Sequence, residues 1–331
     1  MSHVDRVIRV WLLVAACITL VACHGSESTG ARPAAGSVGS AAQAATVIPK
    51  EWKDLSDGAP ESRVGGQMAY DSVRHRVVLF AGKVAGNDQG DLWELDGQNH
   101  TWHRSSILGA AWSYAPAVFD TARGRVVFLG GSPSTTHEYD GTSWVNAPVA
   151  PVIFNASSPG AAVFDAHRNV TVAVRSGKTY EYNGTAWTQP ATTHAPTNVV
   201  AVAYDSVAQR VMGIAGSGAV QTYDGVDWSA VVPGSSGAFA ISALFQAVFD
   251  AARNRTVIVD LNHAAWEWDG TAWSQRTAAI LGSGGEAYSM VYDSDRSKIV
   301  LFGGWGADRE LWEHDASGWT RRSTCSACRR P

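Results

Sequence analysis

The sequence predicts an all-β fold, a six-bladed β-propeller of four-stranded antiparallel blades following a signal peptide and a flexible linker. Three observations lead to it. A small–hydrophobic–aromatic–Asp element occurs six times, each copy is followed by a short apolar run, and each then carries a tight turn and a Trp. The 331 residues suffice for one large all-β domain. With 45% hydrophobic and only 17% charged residues, a sizeable core needs no amphipathic helices.

Taken in order, the chain opens with a positive n-region (Arg6, Arg9) and an apolar stretch from Val10 to Ala22, of signal-peptide length and short for a bilayer span. The stretch ends in Leu20-Val21-Ala22-Cys23, which resembles the lipobox of bacterial lipoproteins. That resemblance implies cleavage before Cys23, lipidation of Cys23 and a membrane anchor. A second Cys, in Val14-Ala15-Ala16-Cys17, would leave a very short apolar core. His24 stands where Asp often signals inner-membrane retention, so the resemblance favours the outer membrane of a bacterial cell envelope. Residues 1–22 are thus expected to be the signal peptide. Residues 23–46, rich in Ser, Gly and Ala, form a disordered tether.

Residues 47–322 hold the repeats. The first element reads Met68-Ala69-Tyr70-Asp71, Ala117-Val118-Phe119-Asp120, Ala162-Val163-Phe164-Asp165, Val202-Ala203-Tyr204-Asp205, Ala247-Val248-Phe249-Asp250 and Met290-Val291-Tyr292-Asp293. This spacing, about 40 to 49 residues, falls in or near the range of propeller blades. Apolar runs such as Val77–Phe80, Val126–Leu129 and Ile299–Phe302 follow, and read as strands buried on both faces. Next come Tyr139-Asp140-Gly141, Tyr182-Asn183-Gly184, Tyr223-Asp224-Gly225 and Trp268-Asp269-Gly270, each with a Trp three residues on, expected as type I′ hairpins. Five copies place a cation five residues after the Asp (Arg76, Arg125, Arg210, Arg255, Lys298), expected to pair with it across the hairpin. Trp52 resembles a last strand without its blade and could help close the ring, although Trp319 already supplies that strand in the sixth copy. Residues 323–331 form a tail in which Cys325 and Cys328 are expected to make a local disulfide.

The apolar run, the diglycines Gly130-Gly131 and Gly303-Gly304 and the spaced Tyr and Trp resemble kelch repeats, as in the galactose oxidase-like propellers. The likeness covers about residues 50 to 322 and is degenerate, since the third and fifth copies lack a diglycine. It implies the fold far more than an activity.

The net charge of −4 leaves no basic patch for nucleic acid. No HExxH, G-x-S-x-G or phosphate-binding Gly loop is present in a suitable context, and no cofactor or metal is expected. Loops between second and third strands, and between blades, vary in length and lie on one face. Binding loops on a rigid scaffold behave that way. The ligand-binding candidates there are Trp112, Tyr114, Arg175, His194, His263, Glu286, Trp305 and Arg309. The expected function is a non-catalytic module, monomeric, that binds a glycan or an envelope protein. The alternative is a sugar-processing enzyme (epimerase, lyase or hydrolase) with Glu286, His194, Arg175 and His263 converging at the channel mouth.

Overall fold

A computed structural model describes residues 58–130, 135–150, 160–234, 241, 246–277, 287–304 and 310–322. The expectations for the signal peptide, tether, Cys23, Trp52, Glu286, Trp305, Arg309, Cys325 and Cys328 lie outside the described residues.

The strands form six consecutive antiparallel sheets. Blade 1 holds β1 (Gln67–Asp71), β2 (Arg76–Phe80), β3 (Lys83–Val84), β4 (Asn87–Asp96) and β5 (Thr101–Trp112); blade 2 holds β6 (Ala117–Asp120), β7 (Arg125–Gly130), β8 (Thr135–Tyr139) and β9 (Trp144–Ala147). Blade 3 is β10 (Ala161–Asp165), β11 (Val170–Arg175), β12 (Lys178–Tyr182) and β13 (Trp187–Thr188); blade 4 is β14 (Val199–Asp205), β15 (Arg210–Ala215) and β16 (Val220–Tyr223). Blade 5 is β17 (Ala247–Asp250), β18 (Arg255–Val259), β19 (Ala265–Trp268) and β20 (Trp273–Thr277); blade 6 is β21 (Ser289–Asp293), β22 (Lys298–Phe302), β23 (Leu311–Asp315) and β24 (Gly318–Arg322). The fourth strand of blade 4 is reduced to single bridges, Tyr223 to Trp228 and Val220 to Val232. First strands neighbour one another around a ring, β1 next to β6 and onward to β21, which returns to β1. The central residues of the second strands are buried, as their apolar runs require.

Each repeated Asp organises the turn after the first strand. Asp71 Oδ1 accepts the amides of Val73 and Arg74 at 3.0 and 2.9 Å, and Asp120, Asp165, Asp205, Asp250 and Asp293 bind their own turns alike. The expected partner of this Asp is corrected. It is paired with the cation three residues on, not five: Arg74, Arg123, Arg168, Arg253 and Arg296 donate Nε to the Asp at 2.6–2.8 Å. The cation five residues on is opposite the Asp in register, yet Arg76, Arg125 and Lys298 turn toward acids of the third strand, Asp96, Glu138 and Glu313. The turn backbone wraps the Asp, so only a side chain rising from that turn reaches its second oxygen. The hairpin expectation is also corrected. Gly141, Gly184, Gly225 and Gly270 take φ of 93 to 100°, but their central neighbours do not, so these turns are not type I′. The preceding Asp or Asn holds the two following amides instead. Ser176-Gly177, joining β11 to β12, does have positive φ at both central residues.

The same arginines join blade to blade. Arg74, Arg123 and Arg168 reach Glu94, Glu138 and Glu181 on the third strand of their own blade at 2.5–2.6 Å. Their guanidinium carbons lie 5.2–5.4 Å from the ring centres of Tyr139, Tyr182 and Tyr223 in the next blade. The hydroxyls of those tyrosines donate back to the same glutamates at 2.9–3.2 Å. A Cβ at Gly141, Gly184 or Gly225 would come within 2.4–2.6 Å of the arginine, so the turn glycine admits the neighbouring blade's side chain. Arg253 with Glu267, and Arg296 with Glu313, make the equivalent pairs in blades 5 and 6.

Closure uses the segment before β1. Gly65 donates its amide to Ala287, and Gly304 donates to Arg63, tying blade 6 to blade 1. Blade 6 meanwhile takes all four of its strands, β21 to β24, from consecutive chain, so no strand is exchanged among the described residues. Arg63, 3% exposed, donates to Ala81 O at 3.1 Å and to both carboxylate oxygens of Asp91 at 2.6 and 3.2 Å. Burial opposes ionisation of Asp91, but hydrogen bonds and charge from Arg63 outweigh it and hold its pKa below the usual range. Gly303 follows from this closure: at φ 81°, its Cβ would lie 2.8 Å from Arg63 O.

Removing one partner of a buried pair strands the other. Arg63→Ala is therefore expected to cost about 3–5 kcal/mol in denaturant unfolding. Arg63→Met with Asp91→Leu should cost less than Arg63→Ala alone. At the blade 5–6 seam His314 replaces the tyrosine, and its Nδ1 accepts from Arg253 at 3.0 Å. Burial first, and the Arg253 charge second, lower its pKa from 6.5 to about 4. The unfolded chain then binds more protons between those values, so stability falls as pH drops from 6.5 towards 4. His314→Tyr should flatten that part of a melting-temperature profile against pH.

Candidate functional site

Each first strand is the terminal strand of its sheet, and its free edge faces a central channel. The channel holds a cavity of about 310 Å³, lined by consecutive residues of all six first strands. Small and branched side chains (Ala69, Ala162, Val163, Ala203, Ala247) leave room for it, and strand edges bring backbone N–H and C=O groups to its wall. The six aromatic residues before the repeated Asp, Tyr70, Phe119, Phe164, Tyr204, Phe249 and Tyr292, line it towards the short-turn face. The hydroxyls of the three tyrosines are tied to the preceding blade: Tyr70 donates to Asp295 at 2.6 Å, while Tyr204 and Tyr292 accept amides of His167 and Ala252 at 3.1 Å. Burial, then the bond to Asp295, keeps the Tyr70 phenol protonated far above neutral pH.

At the other end Gln246 bonds Gln67 across two blades and accepts the amide of Met290 at 2.5 Å and the hydroxyl of Ser289 at 3.2 Å. Ser72, Thr121 and Ser294 add hydroxyls to the wall. No Asp, Glu, Lys, Arg or His is among the lining residues described. The described wall can therefore offer hydrogen bonds and ring faces, with the phenols of Tyr70, Tyr114, Tyr204 and Tyr292 as its ionisable groups.

Of the eight predicted ligand-binding residues, Tyr114 alone lines this cavity among the described ones. Its amide donates to Gly65 O at 2.8 Å, and a Cβ on Gly65 would lie 2.7 Å from its ring, so the two are fixed together at the mouth. Trp112 packs in the blade 1–2 seam, 4.6 Å from the His137 ring and edge-on to Phe80 at 5.8 Å. Arg175 begins the tight Ser176-Gly177 turn of blade 3, and His263 sits at φ 63° in the loop of blade 5. His194 departs from the expected loop face. Its Nδ1 is 2.7 Å from Asp227, in the turn before the outer edge of blade 4, and its amide donates to the same carboxylate at 2.7 Å. The long connection after β13 folds back along the perimeter to reach that Asp. His194, Arg175 and His263 thus belong to separate turns of blades 4, 3 and 5. Among the described residues no group of three or more His, Cys, Asp and Glu is placed to hold a metal ion.

Sequence reasoning missed Gln67, which begins β1, and Gln246, which directly precedes β17; neither carries a motif. It also missed the arginines at Asp+3, whose signal was present as Asp-x-x-Arg in five of six copies. Asp260 belongs to the scaffold. It is 2% exposed, accepts the amides of Asn262 and Ala264 at 2.8 and 2.9 Å and the Trp266 indole at 2.9 Å.

Comparison by sequence finds no protein family and no curated protein that this chain matches. Among solved structures, that of YCF48 bound to D1 peptide is similar over 82% of this chain and 85% of its own. The identity is 13% and the TM-score 0.48.

Asp260→Ala removes the acceptor of three donors, two of them backbone amides of one loop. It is expected to cost about 1–3 kcal/mol and to make residues 260–264 a new site of limited proteolysis.

Proposed function

We propose that this chain is a non-catalytic binding propeller of the bacterial cell envelope, anchored through a lipid on Cys23, that holds a neutral, hydroxyl-rich ligand such as a glycan residue in its central channel. The observation that carries the reading is the chemistry of the wall: strand edges, amides, hydroxyls and rings, with no charged side chain among the lining residues described. Backbone donors and acceptors match sugar hydroxyls, and aromatic faces suit the sugar's C–H surface. A charged ligand would lose its hydration there without gaining a counter-charge. The cavity is of the size at which small-molecule pockets begin. The kelch likeness belongs to the same proposal, as does the outer-membrane location.

Thermal unfolding of the full chain with neutral and charged sugars tests it. A ligand at 100 times its Kd adds about 2.7 kcal/mol. A neutral sugar is expected to raise the midpoint saturably, and Ala162→Phe, which fills the channel, to abolish the response. A response confined to charged sugars, none at all, or one unchanged in Ala162→Phe would contradict the reading. Anchoring is checked separately: Cys23→Ser should lose metabolic labelling by an alkyne-bearing fatty acid.

A further inference from the structure

Five blades carry an arginine in the same cradle, and the fourth does not. Where the others have Arg, blade 4 has Ala208, and where they have Glu on the third strand it has Thr222. The rest of the cradle is kept. Asp205 still binds the amides of Val207 and Ala208 through Oδ1, at 2.9 and 2.8 Å. Its Oδ2, the oxygen that takes Arg Nε in the other five blades, has no hydrogen bond or ion pair among the described residues, and Asp205 is half-buried where its five counterparts are buried. The next blade supplies an aromatic ring at the tyrosine position, Trp268, and the turn glycine, Gly270. A Cβ on Gly270 would meet nothing within 4 Å, whereas Gly97, Gly141, Gly184 and Gly225 each meet a neighbouring arginine.

We propose that the seam between blades 4 and 5 is a binding site for a guanidinium group, and that its occupant is an arginine side chain of a partner protein. The recognition chemistry is drawn from the chain itself. A carboxylate oxygen faces Nε, an aromatic face lies under the planar cation and a glycine turn lets it approach. An ammonium matches this less well, since it lacks the plane and the fork of donors. A tryptophan offers the strongest of the cation-binding faces. Thr222 adds a hydroxyl where the glutamate stands elsewhere. Exposed Val207 at the edge, 63% accessible, gives an entering chain apolar surface beside the slot.

The test is an NMR titration of the full chain labelled in its tryptophan indoles, with the Trp268 signal assigned by Trp268→Phe. The probes are N-methylguanidinium, free L-arginine and end-blocked Gly-Arg-Gly and Gly-Lys-Gly peptides. The guanidinium probes are expected to shift the Trp268 signal saturably, with the Arg peptide at least several-fold tighter than the Lys peptide. Asp205→Asn should abolish the shift. Ala208→Arg should abolish it too, by supplying the guanidinium from within, and should not lower the melting temperature. No saturable shift in the wild-type chain, equal response to the Lys peptide, or an unchanged response in Ala208→Arg would overturn the proposal. Free arginine binding more tightly than the Arg peptide would overturn the assignment to a protein partner.

Discussion

The ring depends on one interaction repeated in five blades, an arginine held between the Asp of its own turn and a Glu of its own third strand, and at three seams laid against the next blade's tyrosine. Neither acid is well solvated. Asp71, Asp120, Asp165, Asp250 and Asp293 are buried, as are Glu138, Glu267 and Glu313. A single guanidinium serves both acids, and Arg125, Arg276, Lys298 and Arg322 bring further positive charge to Glu138, Glu267 and Glu313. The arginine then has one remaining direction, across the seam, where it meets Tyr139, Tyr182 or Tyr223. Burial and the facing glutamate keep the Tyr182 phenol protonated, so it stays a donor back to that glutamate. Buried ion pairs seldom add much net stability over apolar packing, whereas removing one partner is costly. Here the arginine and the glutamate both touch the tyrosine of the next blade, so the pair ties two blades together.

Blade 4 shows the other solution. Arginine and glutamate are both absent, replaced by Ala208 and Thr222, and Met212, Trp268 and Trp273 belong to an apolar cluster that blades 4, 5 and 6 share. Losing the arginine alone would strand the glutamate as well as the Asp, so the paired change leaves only Asp205 without a cation. With charges placed at the seams and on the short turns, the described wall of the channel is made of uncharged groups. This division places hydrogen-bonding edges and rings inside, and ion pairs outside.

The fold was legible because its signals are local and repeated: the aromatic-Asp step, the apolar run and the Gly turn recur six times, and each maps to one strand or turn. Two readings failed for a shared reason. The Asp–cation partner was sought by strand register, five residues on, but the turn curls so that Arg74 rather than Arg76 faces Asp71. The Asp-Gly turns were matched to a two-residue hairpin type, whereas the Asp carboxylate itself stabilises the turn. The site was less legible. Tyr114 was found because an aromatic between blades is conspicuous, but Gln67 and Gln246 take their meaning from a contact 179 residues apart. His194 illustrates the converse: its loop belongs to the variable set, yet its path along the perimeter is decided by Asp227.

A double-mutant cycle at the blade 3–4 seam tests the central claim, that the charged groups of a seam act as one unit. Arg168→Ala, Glu181→Thr and the pair together would convert that seam to the pattern natural in blade 4, with unfolding in denaturant as the readout. The account predicts that each single change is destabilising, and that the double costs clearly less than the sum, with a coupling of roughly 1–3 kcal/mol. Additive losses would show that the two residues contribute independently, and would contradict it.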